Sequence, residues 1–160
     1  MRSDGSGTSN VFTSYMKALS GADGYTNNGA DTFPESPAGK TAGYKQVRVS
    51  GSSNVAAEVG KTSGAIGYAE TSFPKNSGLK SVSIRNGSGA FVQPTANAVT
   101  EAIGDGTIKE DGTVVLNFAT ANAAAYPIST VSYVLAPTAV NNKNTADTLK
   151  AFFTYANTDG

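Results

Sequence analysis

The sequence predicts a single α/β domain, a mixed β-sheet flanked by helices, and three observations carry that expectation. Segments with helical spacing of apolar residues alternate along the chain with short β-branched or aromatic runs, the signature of interleaved helices and strands. The chain has 160 residues, the size of one domain, and folding at that length buries roughly 70% of the surface an unfolded chain exposes. No internal repeat and no low-complexity linker divides residues 1–160 into separate units.

The elements follow in order. Val11, Phe12, Tyr15, Met16 and Leu19 lay one apolar stripe along a helix over about 9–19, with Gly21 suited to its stop. Residues 20–45 are rich in Gly, Asn, Pro and Asp without periodicity and read as a surface excursion. Residues 46–49 suit a short strand, after which Ser53 or Asn54 caps a helix through Val55, Ala56 and Val59 that ends near Gly60. Residues 65–69 form a compact apolar run that reads as a buried strand.

Residues 79–84 alternate in strand fashion, and Asn86-Gly87 supplies the positive φ angles of a tight hairpin turn into Phe91-Val92. Thr95 then caps a helix through Ala98, Val99 and Ile103, and 128–135 is a further β-branched strand candidate. The last helix carries Ala146, Leu149, Phe152, Phe153 and Ala156 on one face. Asn144 or Thr145 is its cap, and Asp147 lies in its first turn, where a negative charge is favourable.

Composition narrows the function. Twelve basic residues balance twelve acidic ones, so no net field draws the chain to nucleic acid or an anionic membrane, and an anion site must be local. Cysteine and histidine are both absent. Their absence removes disulfides, the usual zinc ligands and the serine–histidine and cysteine–histidine catalytic arrangements, so no enzyme, metal or cofactor is expected. No apolar run reaches membrane-spanning length, and the start Met1-Arg2-Ser3-Asp4 reads as lacking a signal peptide.

One segment carries chemistry. Arg2-Ser3-Asp4-Gly5-Ser6-Gly7-Thr8 runs directly into the first helix, whose leading N–H groups lack partners within the helix and favour an anion. Gly5 and Gly7 let the chain turn and approach a ligand, Ser6 and Thr8 offer hydroxyls, and Arg2 offers a planar fork that Asp4 can orient. The structural alternative is that Ser6 or Thr8 simply caps the helix and Arg2 is a solvated charge.

The string Arg-x-Asp-Gly-Ser-Gly-Thr over residues 2–8, followed by Val11-Phe12-Thr13-Ser14-Tyr15, resembles the phosphate-binding subunits of bacterial phosphate ABC transporters. The resemblance continues through Gly64-Ala65-Ile66-Gly67-Tyr68, Tyr126-Pro127-Ile128-Ser129-Thr130 and Ala146-Asp147-Thr148-Leu149-Lys150-Ala151-Phe152-Phe153, then Asp159-Gly160. It implies one lobe, the second, of a type II periplasmic-binding-protein fold. It also implies phosphate contacts from Arg2, Ser6, Gly7 and Thr8, with Asp4 and Gly5 in support.

The implied partners are phosphate, a first lobe that this chain lacks, and the transporter's membrane subunits, in a parent protein that is periplasmic or held at the cell surface. The missing lobe would bring further donors and a carboxylate acceptor, so the isolated lobe is expected to bind weakly. The alternative reading is a self-associating structural domain without significant ligand binding, a homodimer through the lobe interface.

Other strings carry no function. Gly39-Lys40-Thr41 and Gly60-Lys61-Thr62 look like P-loop ends, but Pro34 and Val55 stand where that loop needs its first Gly. Gly87 to Gly89 reads as a hairpin turn. Asp105, Glu110 and Asp111 lack the alternating oxygen ligands of a calcium loop and read as a solvated turn.

Overall fold

A computed structural model describes residues 1–19, 29–33 and 45–158. Gly21, Gly39-Lys40-Thr41, Asp159 and Gly160 lie outside the described residues, as does most of the excursion over 20–45.

The architecture is α/β, with strand pairing in both directions. The chain opens with an extended run paired in parallel with the segment ending at Val49. Ser3 N–H donates to the Val49 carbonyl at 2.9 Å and Val49 N–H to the Met1 carbonyl at 3.0 Å, around the Arg2–Val49 bridge. Each run feeds a helix, α1 (Gly7–Leu19) and α2 (Ser52–Lys61). Because the pairing is parallel, both helices begin at the same end of it, the place where open α/β sheets bind ligands.

α1 starts two residues earlier than its apolar spacing indicates because Ser6 initiates it. The Ser6 carbonyl accepts from Asn10 N–H at 3.0 Å and its Oγ from Ser9 N–H at 3.1 Å. Its fully buried residues are polar ones, Ser9 and Thr13. Thr13 Oγ1 accepts from Ala30 N–H at 2.9 Å and donates to the Asn10 carbonyl at 3.1 Å, tying the helix to the segment over 29–33. Phe12 stacks on Tyr68 at 4.8 Å between ring centroids and on Phe33 at 6.1 Å, so this aromatic cluster spans three separate parts of the chain.

α2 matches its predicted span and buries Val55 and Ala56 at 2% and 3% exposure. Its cap is a correction. Gly51, at φ 76°, precedes the helix, and no side chain caps it, neither Ser53 nor Asn54. A left-handed residue is tolerated there because glycine has no Cβ to clash. Across from α2, a Cβ on Gly67 would lie 2.9 Å from Val59 Cγ2 and 3.0 Å from Val55 Cγ1. Glycine thus allows the 65–70 segment to lie directly on α2.

The short α3 (Ser72–Asn76), which the sequence reading missed, follows that segment. β1 (Ile84–Arg85) and β2 (Phe91–Val92) then pair antiparallel, with Ile84 opposite Val92. The predicted hairpin exists, but its turn differs: the positive φ belongs to Gly89, and Asn86 is a buried hub instead. Asn86 Nδ2 donates to the carbonyls of Asn122 and Ala125, while its Oδ1 accepts from the amides of Ser88 and Ala90.

α4 (Ala96–Gly104) is capped as expected, Thr95 Oγ1 accepting from Ala98 N–H at 3.2 Å. A second antiparallel hairpin, β3 (Thr107–Ile108) and β4 (Val114–Val115), was not foreseen. The acidic cluster borders it as turn structure, with Asp111 accepting from Thr113. α5 (Lys143–Thr158) closes the described chain, and Asn142, rather than Asn144 or Thr145, is the cap: its Oδ1 accepts from the amides of both.

The strands expected over 65–69 and 128–135 form no ladder among the described residues. Ile66, Val134 and Leu135 stand exposed at 91%, 71% and 94%. A β-branched run states a preference for a pleated, half-buried surface, but a strand also needs a neighbour that accepts its backbone bonds. No such neighbour meets these runs among the described residues.

Candidate functional site

The site is built where the first parallel run enters α1. Ser6 N–H is taken by the Asp31 carbonyl at 2.8 Å, and the amides of Ser9 and Asn10 are taken by Ser6 itself. The amides between them, on Gly7 and Thr8, have no acceptor among the described residues. They point out of a helix N-terminus, where the aligned peptide dipoles favour negative charge. A Cβ on Gly7 would meet nothing within 4 Å. Gly7 is exposed and Thr8 half-buried, and neither Gly5 nor Gly7 has the positive φ that a sharp glycine turn implies.

Arg2, at the head of the same string, is tightly oriented. Its Nε donates to Asp4 Oδ1 at 2.7 Å and Nη2 to Asp4 Oδ2 at 2.5 Å, a side-on bidentate pair, and Nη1 donates to Ser52 Oγ at 3.0 Å. Asp4 is itself held by Gly51 N–H at 3.2 Å, so one carboxylate connects the first run to the start of α2. The Arg2 bonds, followed by the Gly51 amide, hold the Asp4 carboxyl well below the usual carboxylate range. Bonding to Asp4 in turn raises Arg2. These contacts leave the second N–H of each Arg2 Nη without a partner among the described residues.

The two hydroxyls differ. Ser6 is buried, and its Oγ serves as the cap acceptor for Ser9 N–H, which leaves its own O–H to donate. Thr8 Oγ1 donates to Glu70 Oε1 at 2.5 Å. Burial works to raise the Glu70 carboxyl, but bonding from the Ser52 and Thr8 hydroxyls, assisted by the Arg2 charge, outweighs it and the net shift is downward. The segment bearing Glu70 is pinned to α1 two residues earlier, where Tyr68 OH and Ser9 Oγ lie 2.8 Å apart.

Thus the structure brings Arg2, Asp4, Gly5, Ser6, Gly7 and Thr8 into one corner, and it adds Ser52, Glu70, Tyr68 and Ser9, which sequence reasoning did not assign to a site. Only a weak signal pointed to them. Ser52 sits in a capping string, and Glu70 is the first charge after the apolar run over 65–69. Chemically the corner offers N–H donors on Gly7 and Thr8, hydroxyls on Ser6 and Thr8, and a clamped Arg2 guanidinium. No group of three or more His, Cys, Asp or Glu is placed to hold a metal among the described residues, and no described helix is long and apolar enough to cross a membrane.

Comparison with known proteins bears on this geometry. A family model described as a PBP superfamily domain matches residues 1–159. The chain is similar to the phosphate-binding protein PstS of Xylella fastidiosa (strain Temecula1), 30% identical over 158 residues that cover 95% of this chain and 41% of that one. It is 31% identical to PstS of Xylella fastidiosa (strain 9a5c) over 136 residues, 84% of this chain and 35% of that one. It is also 29% identical to PstS of Haemophilus influenzae over 158 residues, 97% and 44% of the two chains. The chain spans about two fifths of the length of these curated relatives. No solved structure matches it significantly.

Proposed function

This chain belongs to the PBP superfamily, and on that premise we propose that it binds inorganic phosphate as one lobe of a solute-binding protein feeding an ABC phosphate importer. The single observation that carries the proposal is the pair of amides on Gly7 and Thr8, without acceptors among the described residues, at the start of a helix whose leading string also carries the clamped Arg2 guanidinium. Together with the Ser6 and Thr8 hydroxyls they form a donor set suited to a tetrahedral oxyanion, and each charge-assisted hydrogen bond is worth roughly 1.5–3 kcal/mol net. Ligand contacts are assigned to Arg2, Ser6, Gly7 and Thr8, with Asp4 and Gly5 supporting. No bond is broken, because the corner contains no activated nucleophile.

The lengths of the relatives support a second body that closes on the same anion, and closure around a ligand is the motion such proteins offer a transporter. With only one lobe's donors, affinity is weak, on the order of millimolar. Titration of the chain with phosphate, followed by the amide resonances of Gly7 and Thr8, tests the reading. Arg2→Ala lowers the affinity at least about tenfold, the equivalent of one lost charge-assisted bond. Unmoved amides at tens of millimolar phosphate sink it.

A second reading, self-association, is favoured by the exposed apolar residues Ile66, Leu135 and Phe152. Sedimentation across a concentration series separates the two: a monomer that binds phosphate supports the first, and a dimer that ignores phosphate the second.

A further inference from the structure

The proposed anion corner is already partly occupied by one of the chain's own carboxylates. Glu70 Oε1 takes the Thr8 hydroxyl, one of the four ligand groups assigned above. The Ser52 hydroxyl accepts from Arg2 Nη1 at 3.0 Å, and both it and the Arg2 charge favour the ionised form of Glu70. Among the described residues, the charges bonded within the corner are one cation, Arg2, and two carboxylates, Asp4 and Glu70, while the Asp31 carboxylate beside it is held by Asn10 Nδ2 at 3.0 Å. Asp4 is spent on Arg2 in a bidentate pair, with Gly51 N–H behind it. Glu70 has no cation within ion-pairing distance among the described residues, and the Thr8 hydroxyl is what holds it. An incoming oxyanion needs the same Thr8 hydroxyl and meets a like charge beside it.

Resting on the phosphate reading, we propose that Glu70 is a displaceable internal occupant of the anion site: it satisfies the Thr8 hydroxyl in the empty lobe and must leave when phosphate binds. The placement allows that movement. Glu70 is exposed on its outer side, and its backbone carbonyl is fixed by Phe73 N–H at 3.0 Å, so the side chain can swing while the segment stays in place. Asp4 cannot take this role, since withdrawing it would release Arg2 and the Gly51 amide together. The carboxylate therefore competes with ligand, and it keeps the Thr8 donor oriented and satisfied until ligand arrives.

The test is phosphate titration of the full chain and of Glu70→Gln and Glu70→Ala, read on the Gly7 and Thr8 amides. Displacement predicts that both variants bind phosphate more tightly, by at least about 5-fold, the bulk-water lower limit for removing one unit charge about 4 Å from an anion. In wild-type protein carrying 13C-labelled glutamate, the Glu70 carboxyl resonance moves in step with phosphate saturation. This second readout stands even if a variant fails to fold.

Phosphate binding by the wild type with equal or weaker binding by both variants overturns displacement alone, and makes Glu70 a helper that orients Thr8 or accepts a proton from phosphate. A stationary Glu70 carboxyl while the Gly7 and Thr8 amides respond overturns it in the same way. No response from any of the three proteins overturns the phosphate reading, and displacement with it.

Discussion

The two ends of the chain both carry helices with apolar stripes, yet they are held in opposite ways. α1 is tied by contacts distant in sequence: Thr13 to Ala30, Ser9 to Tyr68, Phe12 to both Phe33 and Tyr68. α5 is longer but has no buried residue, and its Thr148 and Asn157 side chains bond within its own turns, to the carbonyls of Asn144 and Phe153. Amphipathic spacing therefore announces a helix without saying how firmly it is docked. The proposed anion corner stands at the firmly docked end, where donors must be held in place before ligand arrives if they are to bind it without a further ordering cost.

The sharpest way to break the contrast is one substitution made at both ends. Thr13→Val removes a fully buried hydroxyl that accepts from the half-buried Ala30 amide and leaves that N–H unsatisfied, at a cost of about 1–3 kcal/mol. Thr148→Val removes a hydroxyl that donates only to a carbonyl one turn back on an exposed face, and its effect stays within about 0.5 kcal/mol. Urea denaturation midpoints of the two variants measure both. Equal losses would show that α5 is docked as firmly as α1.

The same contrast explains how far the sequence could be read. α2, α4 and α5 follow from periodicity and turn residues, which are local properties, and their spans were legible. Caps were less so, because several polar residues compete at each boundary: Gly51 and Asn142 took positions that Ser53, Asn144 and Thr145 would also have suited. The runs over 65–69 and 128–135 failed as strands because pairing is a property of two segments, of which the sequence displays one.

In the site, Arg2, Asp4, Ser6, Gly7 and Thr8 were visible as a contiguous string. Ser52 and Glu70 were not, since they reach the corner only through the parallel pairing at Val49 and the close fit of Gly67 on α2. Gly5 and Gly7 were credited with a turn that neither makes. At Gly7 a Cβ would meet nothing within 4 Å, so the position demands no glycine on steric grounds.

Proton titration sharpens the comparison at the N-terminal end. The Asp4 carboxyl sits below its unfolded value of 3.8, first through Arg2 and then through the Gly51 amide. Since the folded group holds its proton less tightly than the unfolded one, the clamp's stabilisation is fully present above about pH 4 and is lost as pH falls further, toward the folded pKa. Thermal midpoints taken from pH 5 down to pH 2 should fall more steeply for wild type than for Asp4→Asn. Parallel curves would mean that the Arg2–Asp4 pair contributes nothing to folding.

The smallest effect belongs to the other end. Lys143 and Asp147 form an ion pair one turn apart at 2.6 Å, with side chains 86% and 62% exposed. An exposed pair of this kind contributes about 0.3–0.5 kcal/mol before opposing effects are counted. Lys143 also puts a positive charge in the first turn of α5, where the helix dipole disfavours it, and the order of lysine before acid is the weaker one for such pairs. The two effects nearly cancel, so Lys143→Ala should move the denaturation midpoint by less than about 0.5 kcal/mol in either direction. A loss well above 1 kcal/mol would mean that this pair is shielded from water in the folded chain, and α5 would then no longer be the loosely held end.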